Sequence, residues 1–131
     1  MGGYVAGRVI QLMAKKRISI SGAEVLIMGI TFKENFSDVR NSRVVDIVHE
    51  LEQYPLTITI FDPIASPSAV KNAYDLVSEK SLTAGKKFDA IIVSVDHAQF
   101  ASFDYPAFLK KPGVLFDVKG NVKNEMADGK L

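Results

Sequence analysis

The amino-acid sequence predicts an α/β protein in which helices flank a doubly wound parallel sheet of about five strands. Two observations support this prediction. Residues 24–30 and 88–95 form nearly unbroken apolar runs, which are typical of strands covered on both faces. Between such runs, apolar residues recur at helical spacing, and strands that alternate with helices favour a parallel sheet.

The size and composition of the chain exclude several classes of function. Its 131 residues fit one domain, and a net charge of +1 gives no electrostatic reason to expect nucleic acid or an acidic membrane as a partner. The chain has no Cys, which excludes disulfides, thiolate metal sites and Cys nucleophiles. No apolar run reaches the roughly 18 residues of a membrane span. No signal peptide is visible, so the cytoplasm is the expected location.

The first predicted element is a helix over residues 4–16, whose apolar residues cover a wide arc. This pattern allows two interpretations. The helix folds onto the sheet of its own domain, or it is the end of a longer helix that belongs to a preceding domain. In the second case it would leave an apolar patch exposed.

The next elements are a strand over residues 24–30, a helix that starts near Val44, and a strand over residues 56–61. The helix has its apolar residues at the spacing i, i+3, i+4 and i+7. Asn41 or Ser42 is predicted to cap its first turn, and Tyr54-Pro55 is predicted to end it.

The second half of the chain repeats the alternation of strands and helices. Pro67 suits the first turn of a short helix near residues 68–74, and a polar tail follows residue 120. Between them the sequence predicts three strands, at 76–77, at 88–95 and, after Pro112-Gly113, at 114–118. It also predicts a weak helix at 81–85, a short helix that begins at 96–97 and a helical turn at 105–110.

Lys33 and Arg40 flank the junction between the first strand and its helix, where parallel α/β sheets bind ligands. One interpretation is an anion site formed by both cations and the free N–H groups of the helix. The other is a solvated loop in which Arg40 pairs with Asp38 or Glu34. Neither a Gly-x-Gly-x-x-Gly nor a Walker sequence is present, so an independent dinucleotide or nucleoside triphosphate site is not expected.

Three further polar residues follow predicted strands. Asp62 either contacts a ribose or forms an Asp-Pro turn, and the turn is favoured because the glycine fingerprint is missing. His97 could contact a ligand, or Asp96 could simply cap the next helix. Lys119, followed by Gly120, could bind an anion or lie on the surface. Elsewhere His49 is expected to be solvated, and two isolated His residues make no metal site.

One longer pattern carries a family resemblance. Gly29-Ile-Thr-Phe-Lys-Glu-Asn35, continued by Asp38-Val-Arg-Asn-Ser42, closely resembles the C-terminal domain of the UDP-glucose/GDP-mannose dehydrogenase family. The residues of this segment are most similar to those of the branch that acts on UDP-N-acetylhexosamines for bacterial surface polysaccharides. Further matches keep the family's order: Phe61-Asp-Pro63, Ile92-Val-Ser-Val-Asp-His97 and Phe116-Asp-Val-Lys-Gly120.

This resemblance implies a Rossmann-like domain of a larger NAD-dependent enzyme, which oxidises the 6-hydroxymethyl group of a UDP-sugar to a carboxylate in two hydride transfers. It implies that Phe32, Lys33 and Lys119 contact the UDP-sugar and that Arg40 reaches the cofactor. Some relatives carry Arg at the position of Lys119, and Lys keeps the charge without the two-pronged grip. NAD is expected to bind mainly to an N-terminal domain that this chain lacks.

The resemblance also divides the chain. Residues 1–20 are expected to be the end of the family's central dimerisation helix, and residues 21–131 the UDP-sugar-binding domain. The chain should be inactive alone, because the family's catalytic Cys is missing. Its expected partners are a UDP-sugar, the rest of the polypeptide and a second copy bound through the opening helix, which should make the fragment self-associate or be only moderately soluble.

Two other classes remain as alternatives. One is a stand-alone nucleotide-binding domain without catalysis. The other is a receiver-like α/β module, which needs an acidic pair after the first strand to hold a metal. The sequence has Lys33 there instead, and this disfavours the receiver-like module.

Overall fold

The computed structural model describes residues 2–118 and 127–130, in which a six-stranded sheet is the central element. All neighbouring strands are parallel, in the order β3-β2-β1-β4-β5-β6. The strands are β1 (Glu24–Met28), β2 (Thr57–Phe61), β3 (Ser78–Glu79), β4 (Phe88–Val93), β5 (Leu109–Asp117) and β6 (Gly129–Lys130). The helices are α1 (Gly2–Lys15), α2 (Val44–Leu51), α3 (Pro67–Tyr74), a 3₁₀ helix (Ala98–Ser102) and α4 (Tyr105–Phe108).

The strand order confirms the predicted doubly wound parallel sheet. After β1 the chain moves to β2 and β3 on one side, whereas β4 starts beside β1 and continues to β5 and β6 on the other. The direction of winding therefore reverses between β1 and β4. In sheets of this kind, ligands bind outside the carboxyl ends of the strands at this reversal, the topological switch point.

Alternate residues of the central strands face opposite sides of the sheet, as the two-residue repeat of a strand requires. Val25 and Ile27 face the layer that contains α1, α2 and α3. Leu26 and Met28 face a second layer, in which Phe100 of the 3₁₀ helix and Tyr105 of α4 are buried. Because both faces are covered, β1 and β4 can be apolar along most of their length, which is the pattern that predicted them.

Helix α1 packs onto the sheet and against α2. Val5, Val9 and Met13 are fully buried, and the helix contacts α2, β4 and β5. The interpretation that its apolar face stays exposed is wrong, because α2 and the sheet cover that face. Tyr4 is the large apolar side chain that α1 leaves on the surface, with 58% of its area exposed.

Three predictions near β3 and β5 differ from the structure. The brief strand lies at Ser78–Glu79 and not at 76–77, and the weak helix at 81–85 does not form. Strand β5 begins at Leu109, so Pro112 and Gly113 lie within it. The pairing with β4 shifts there, since four residues, Lys110 to Gly113, stand opposite one residue of β4. A bulge of this kind accommodates Pro, which cannot donate a hydrogen bond to the neighbouring strand.

The start of α2 also differs from the prediction. Arg43 is the capping residue and makes no side-chain capping hydrogen bond. Asn41 adopts a left-handed conformation (φ 57°), and the Ser42 N–H donates to the Tyr74 hydroxyl at 3.0 Å. The predicted caps at Asn41 and Ser42 are therefore wrong, because contacts with α3 fix this turn. The helix ends at Leu51, before Tyr54-Pro55.

Candidate functional site

A cavity of about 240 Å³ lies at the switch point, next to the carboxyl ends of β1, β4 and β5. We call it the switch-point cavity. Its lining combines one aromatic ring, one guanidinium group and one hydroxyl with aliphatic side chains: Phe32, Arg43, Val44, Ile47, Ser94, Val95 and Val118. The composition suits a ligand that offers both an apolar or aromatic surface and a negative charge.

Gly29 allows the chain to turn from β1 into the loop beside this cavity. Its φ of +96° is favourable for glycine alone. A Cβ atom at this position would lie 2.6 Å from the Val95 Cβ atom and 3.0 Å from the Val95 backbone nitrogen. Glycine is therefore required both for the turn and for the close approach of the segment that follows β4.

The loop after β1 presents two aromatic rings and a cation to solvent. Phe32 and Phe36 are each more than half exposed, and the Phe32 N–H closes the loop by donating to the Asp38 carbonyl at 2.7 Å. The Lys33 Nζ atom lies over the Phe36 ring, 4.3 Å from its centroid. Exposed aromatic rings of this size are available to stack on a ligand. Lys33 is not among the residues that line the cavity.

Arg40 pairs with Asp38, as one of the two interpretations of this loop expected. Two bonds of 3.0 Å join the guanidinium Nε and Nη2 atoms to the two carboxylate oxygens of Asp38. Hydrogen bonds from the Arg40 side chain and backbone lower the pKa of Asp38, and the same side-chain hydrogen bond raises the pKa of Arg40. The pair is exposed, so its contribution to stability is small and a ligand could compete for the guanidinium.

Two residues of the cavity were not singled out from the sequence. Arg43 lines it and forms no ion pair within residues 2–118 and 127–130. Ser94 is almost fully buried, and its hydroxyl oxygen has no hydrogen-bond partner in the same part of the chain. A buried hydroxyl without a partner costs stability and needs an explanation in a native structure. From the sequence Ser94 falls inside the strand predicted over residues 88–95, and only the observed end of β4 at Val93 shows that it follows the strand.

Asp62 forms the predicted turn and also contacts two other loops, at Ile30 and at His97. One of its oxygens accepts from the N–H groups of Ile64 and Ala65, and the other accepts from the Ile30 N–H and contacts His97 at 2.9 Å. Burial raises the pKa of Asp62, but the hydrogen bonds from His97 and these backbone groups outweigh it and leave the pKa lowered. With no exposed surface, Asp62 is unavailable to a ribose.

His97 is buried and belongs to the same network. It occupies the capping position of the 3₁₀ helix without a side-chain capping bond, and the helix begins at Ala98. The predicted start at 96–97 is therefore one to two residues early, and the capping position belongs to His97 and not to Asp96. Its ring contacts Asp62, Thr31 and the Asn35 backbone. His49, by contrast, is exposed on α2, as predicted.

The remaining predicted site residue, Lys119, lies outside the described residues, next to the cavity-lining Val118. A second cavity, of about 200 Å³, lies against α4 and β5 on the other face of the sheet and is lined by Tyr105, Pro106, Leu109, Lys110, Lys111 and Leu115. In the part of the chain that the structure describes, no three His, Asp or Glu side chains could hold a metal ion together. None of the described helices is long and apolar enough to cross a membrane.

Comparison with known sequences gives a specific match. Residues 26–124 match the UDP-binding domain of the UDP-glucose/GDP-mannose dehydrogenase family. Over its full length the chain is 40% identical to the UDP-N-acetyl-D-glucosamine 6-dehydrogenase of Salmonella typhi and 37% identical to that of Pseudomonas aeruginosa. It covers 31% and 32% of those relatives, so the chain spans about a third of their length.

Solved structures agree with the sequence match. The UDP-N-acetyl-mannosamine dehydrogenase Cap5O of Staphylococcus aureus superposes with a TM-score of 0.73 at 25% identity, over 98% of this chain and 30% of that one. The UDP-D-ManNAc dehydrogenase of Pyrococcus horikoshii superposes with a TM-score of 0.75 at 17% identity, over 98% of this chain and 30% of that one, which shows the shared fold. Neither match supports a stand-alone nucleotide-binding or receiver-like module. The chain belongs to the UDP-glucose/GDP-mannose dehydrogenase family and is its C-terminal, UDP-binding domain.

Proposed function

We propose that this chain serves a full-length NAD-dependent UDP-sugar 6-dehydrogenase by holding the nucleotide part of the sugar nucleotide at the switch-point cavity. The observation that supports this most is the cavity itself, which joins the Phe32 ring and the Arg43 guanidinium at the carboxyl ends of β1, β4 and β5. A UDP group needs an apolar surface for its base and positive charge for its diphosphate, and this lining offers an apolar surface and the Arg43 cation.

Within this proposal, Phe32, Lys33 and Lys119 are the UDP-sugar contacts. Lys33 and Phe32 lie together on the exposed loop after β1, and Val118 brings the chain to the cavity just before Lys119. Arg43 is added to these contacts because it lines the cavity without an ionic partner in the described residues. The cationic side chains would neutralise the diphosphate as it leaves water.

Arg40 is proposed to reach NAD, which accepts hydride when it is bound. The chain lacks a Gly-x-Gly-x-x-Gly fingerprint, so it would not hold a dinucleotide by itself. Arg40 nevertheless fits a contact made across a cleft, because 83% of its side chain is exposed and Asp38 already orients the guanidinium. The main NAD site would belong to another domain of the same polypeptide.

The chain is proposed to be catalytically inactive by itself. It contains no Cys to form the Cys-linked intermediate that the family resemblance implies, and the hydride chemistry would require the NAD-binding domain. The 37–40% identity to UDP-N-acetyl-D-glucosamine 6-dehydrogenases favours a UDP-N-acetylhexosamine as substrate. We therefore propose a role in surface polysaccharide synthesis, with the cytoplasm as the expected location.

We also propose that residues 1–20 continue a central helix and that the full-length protein forms a homodimer through it. The inner face of α1 is buried, so the contact would use its outer face, where Tyr4, Gly7 and Gln11 are exposed. The fragment would then self-associate through the exposed Tyr4 rings. The division between residues 1–20 and 21–131 remains part of this proposal, although α1 packs tightly against the rest of the chain.

Steady-state kinetics of the full-length enzyme test the assigned contacts. Lys33→Ala should raise the KM for the UDP-sugar about tenfold, because a charge-assisted contact with the diphosphate is lost. Arg40→Ala should raise the KM for NAD instead. The two variants separate the substrate role from the cofactor role on one loop.

Lys87→Ala is the matched control, because Lys87 is exposed just before β4, away from the carboxyl ends of the strands. Its KM values should equal those of the wild type. Unchanged kinetics in both Lys33→Ala and Arg40→Ala would contradict the assigned contacts.

A further inference from the structure

We propose that His97 is a positioning residue, which acts through Asn35 to hold the Phe32–Lys33 segment in its binding conformation. This inference rests on the proposed function, because it takes Phe32 and Lys33 as contacts of the UDP-sugar. His97 itself is fully buried, so its proposed effect on a ligand passes through other residues. Its role follows from four hydrogen-bond contacts that join three separate loops.

The His97 ring connects the loop after β1 with the loop after β2. Its Nδ1 atom accepts from the Asn35 backbone N–H at 3.0 Å, and its Nε2 atom lies 2.9 Å from an Asp62 oxygen. A backbone N–H can only donate, so Nδ1 must carry no proton. The ring is therefore neutral, and its proton is on Nε2, where it is donated to the Asp62 carboxylate.

A second hydrogen bond joins Asn35 to the segment that contains His97. Its side-chain oxygen accepts from the Ala98 N–H at 2.9 Å, next to His97 in the sequence. Asn35 also has a left-handed backbone conformation, with φ of 63°. That conformation is tolerated by Asn better than by most residues, but it costs energy and persists only where neighbouring contacts impose it. The paired bonds with residues 97 and 98 are those contacts.

The other side of the segment is tied to the same ring. The Thr31 hydroxyl lies 3.3 Å from the His97 Nε2 atom and donates to the Lys33 carbonyl at 3.0 Å. Thr31 is buried, whereas Phe32 and Lys33 are exposed. The two exposed residues thus lie between two anchors, Thr31 and Asn35, which both contact one imidazole.

This arrangement reduces the entropic cost of binding. When a ligand must order an exposed loop as it binds, the free energy of that ordering is subtracted from the binding free energy and the affinity falls. Since Asp62 is fixed by the Ile30, Ile64 and Ala65 N–H groups, it gives the ring a rigid base. The geometry points to His97 as the link that transmits this rigidity to Phe32 and Lys33.

Two substitutions at position 97 distinguish the roles of the two ring nitrogens. In His97→Asn, the side-chain oxygen can replace Nδ1 as the acceptor for Asn35, while the bond to Asp62 is lost. In His97→Gln, the side-chain amide can replace Nε2 as the donor to Asp62, while the acceptor for Asn35 is lost. Both variants remove the ring from the core. His49→Gln, at an exposed position of α2, is the control for the loss of a histidine.

The variants are compared in the full-length enzyme by three measurements: steady-state kinetics, thermal unfolding, and hydrogen–deuterium exchange over residues 31–40. His97→Gln should raise the KM for the UDP-sugar about tenfold with little change in kcat, and should accelerate exchange in the loop. His97→Asn should keep the KM within about threefold of the wild type. The two variants should lose similar thermal stability.

The inference is overturned if both variants change the KM equally, if the KM follows thermal stability, or if exchange over residues 31–40 stays at the wild-type rate in His97→Gln. Failure of the proposed function gives a different result. In that case the wild-type enzyme would not oxidise any UDP-sugar, while the exchange rates would still decide whether His97 orders the loop.

Discussion

At the scale of single residues, Asp62 shows how one carboxylate can fix several loops. It accepts hydrogen bonds from Ile30, Ile64, Ala65 and His97, and it has no exposed surface. Buried charges are tolerated only when such bonds replace water. The turn was predictable, because Asp before Pro favours one. The link to His97 was not, since 35 residues separate the two and only the tertiary fold joins them.

The lowered pKa of Asp62 gives a prediction for acid stability. A carboxyl group whose pKa is lower in the folded state stabilises the fold above its unfolded pKa, here the ordinary value of 3.8, and this stabilisation disappears as pH falls through the folded pKa. Asp62→Asn should reduce the free energy of unfolding at neutral pH by about 3 kcal/mol, because it leaves His97 and backbone N–H groups poorly paired. It should also flatten the loss of stability below pH 4.

Chemical denaturation between pH 2 and 7 measures this effect. Asp75→Asn is the control, because Asp75 also has a lowered pKa but forms an exposed pair with Lys71. It should follow the wild-type curve closely. An Asp62→Asn variant with wild-type stability at neutral pH would contradict the stabilising role of the network.

At the scale of elements, the strands were predicted best. Strands β1 and β4 end within two residues of the predicted positions, because burial on both faces leaves a nearly continuous apolar pattern. The errors fall where tertiary contacts override local preference. Strand β5 starts early because its bulge pairs Leu109 with Phe88, and Ser42 does not cap α2 because its backbone bonds to Tyr74.

The inner face of helix α1 packs against the sheet and α2, and mutation of that face should lower stability. Met13 is fully buried in the core, so Met13→Ala should lower the free energy of unfolding by about 3 kcal/mol through lost apolar burial and a residual cavity. Gln11→Ala, on the exposed face of the same helix, should change it by no more than about 0.5 kcal/mol. Denaturant unfolding of the 131-residue chain provides both values.

Equal, small effects of Met13→Ala and Gln11→Ala would mean that α1 detaches from the sheet in solution. The outcome also bears on the proposed dimer. If α1 is fixed by its inner face, a second copy can use only the outer face, around Tyr4 and Gly7.

At the scale of the whole molecule, the order of the strands determines where a ligand can bind. The reversal between β1 and β4 opens a crevice, and Gly29 lets the two following segments approach each other there. Phe32 was identified from the sequence through the family pattern, because neither charge nor apolar periodicity singles it out. Arg43 and Ser94 were missed, because their place in the cavity depends on how α2 and β4 come together.

The central claim is that the switch-point cavity binds the UDP group, and a titration with UDP followed through backbone amide NMR signals tests it most directly. Phe32, Lys33, Ser94 and Val118 should shift in a saturable manner, together with Lys119. Signals of Leu109, Lys111 and Leu115, around the second cavity on the other face, should stay in place. Saturable shifts confined to that second cavity, with Phe32 and Lys33 unchanged, would contradict the claim.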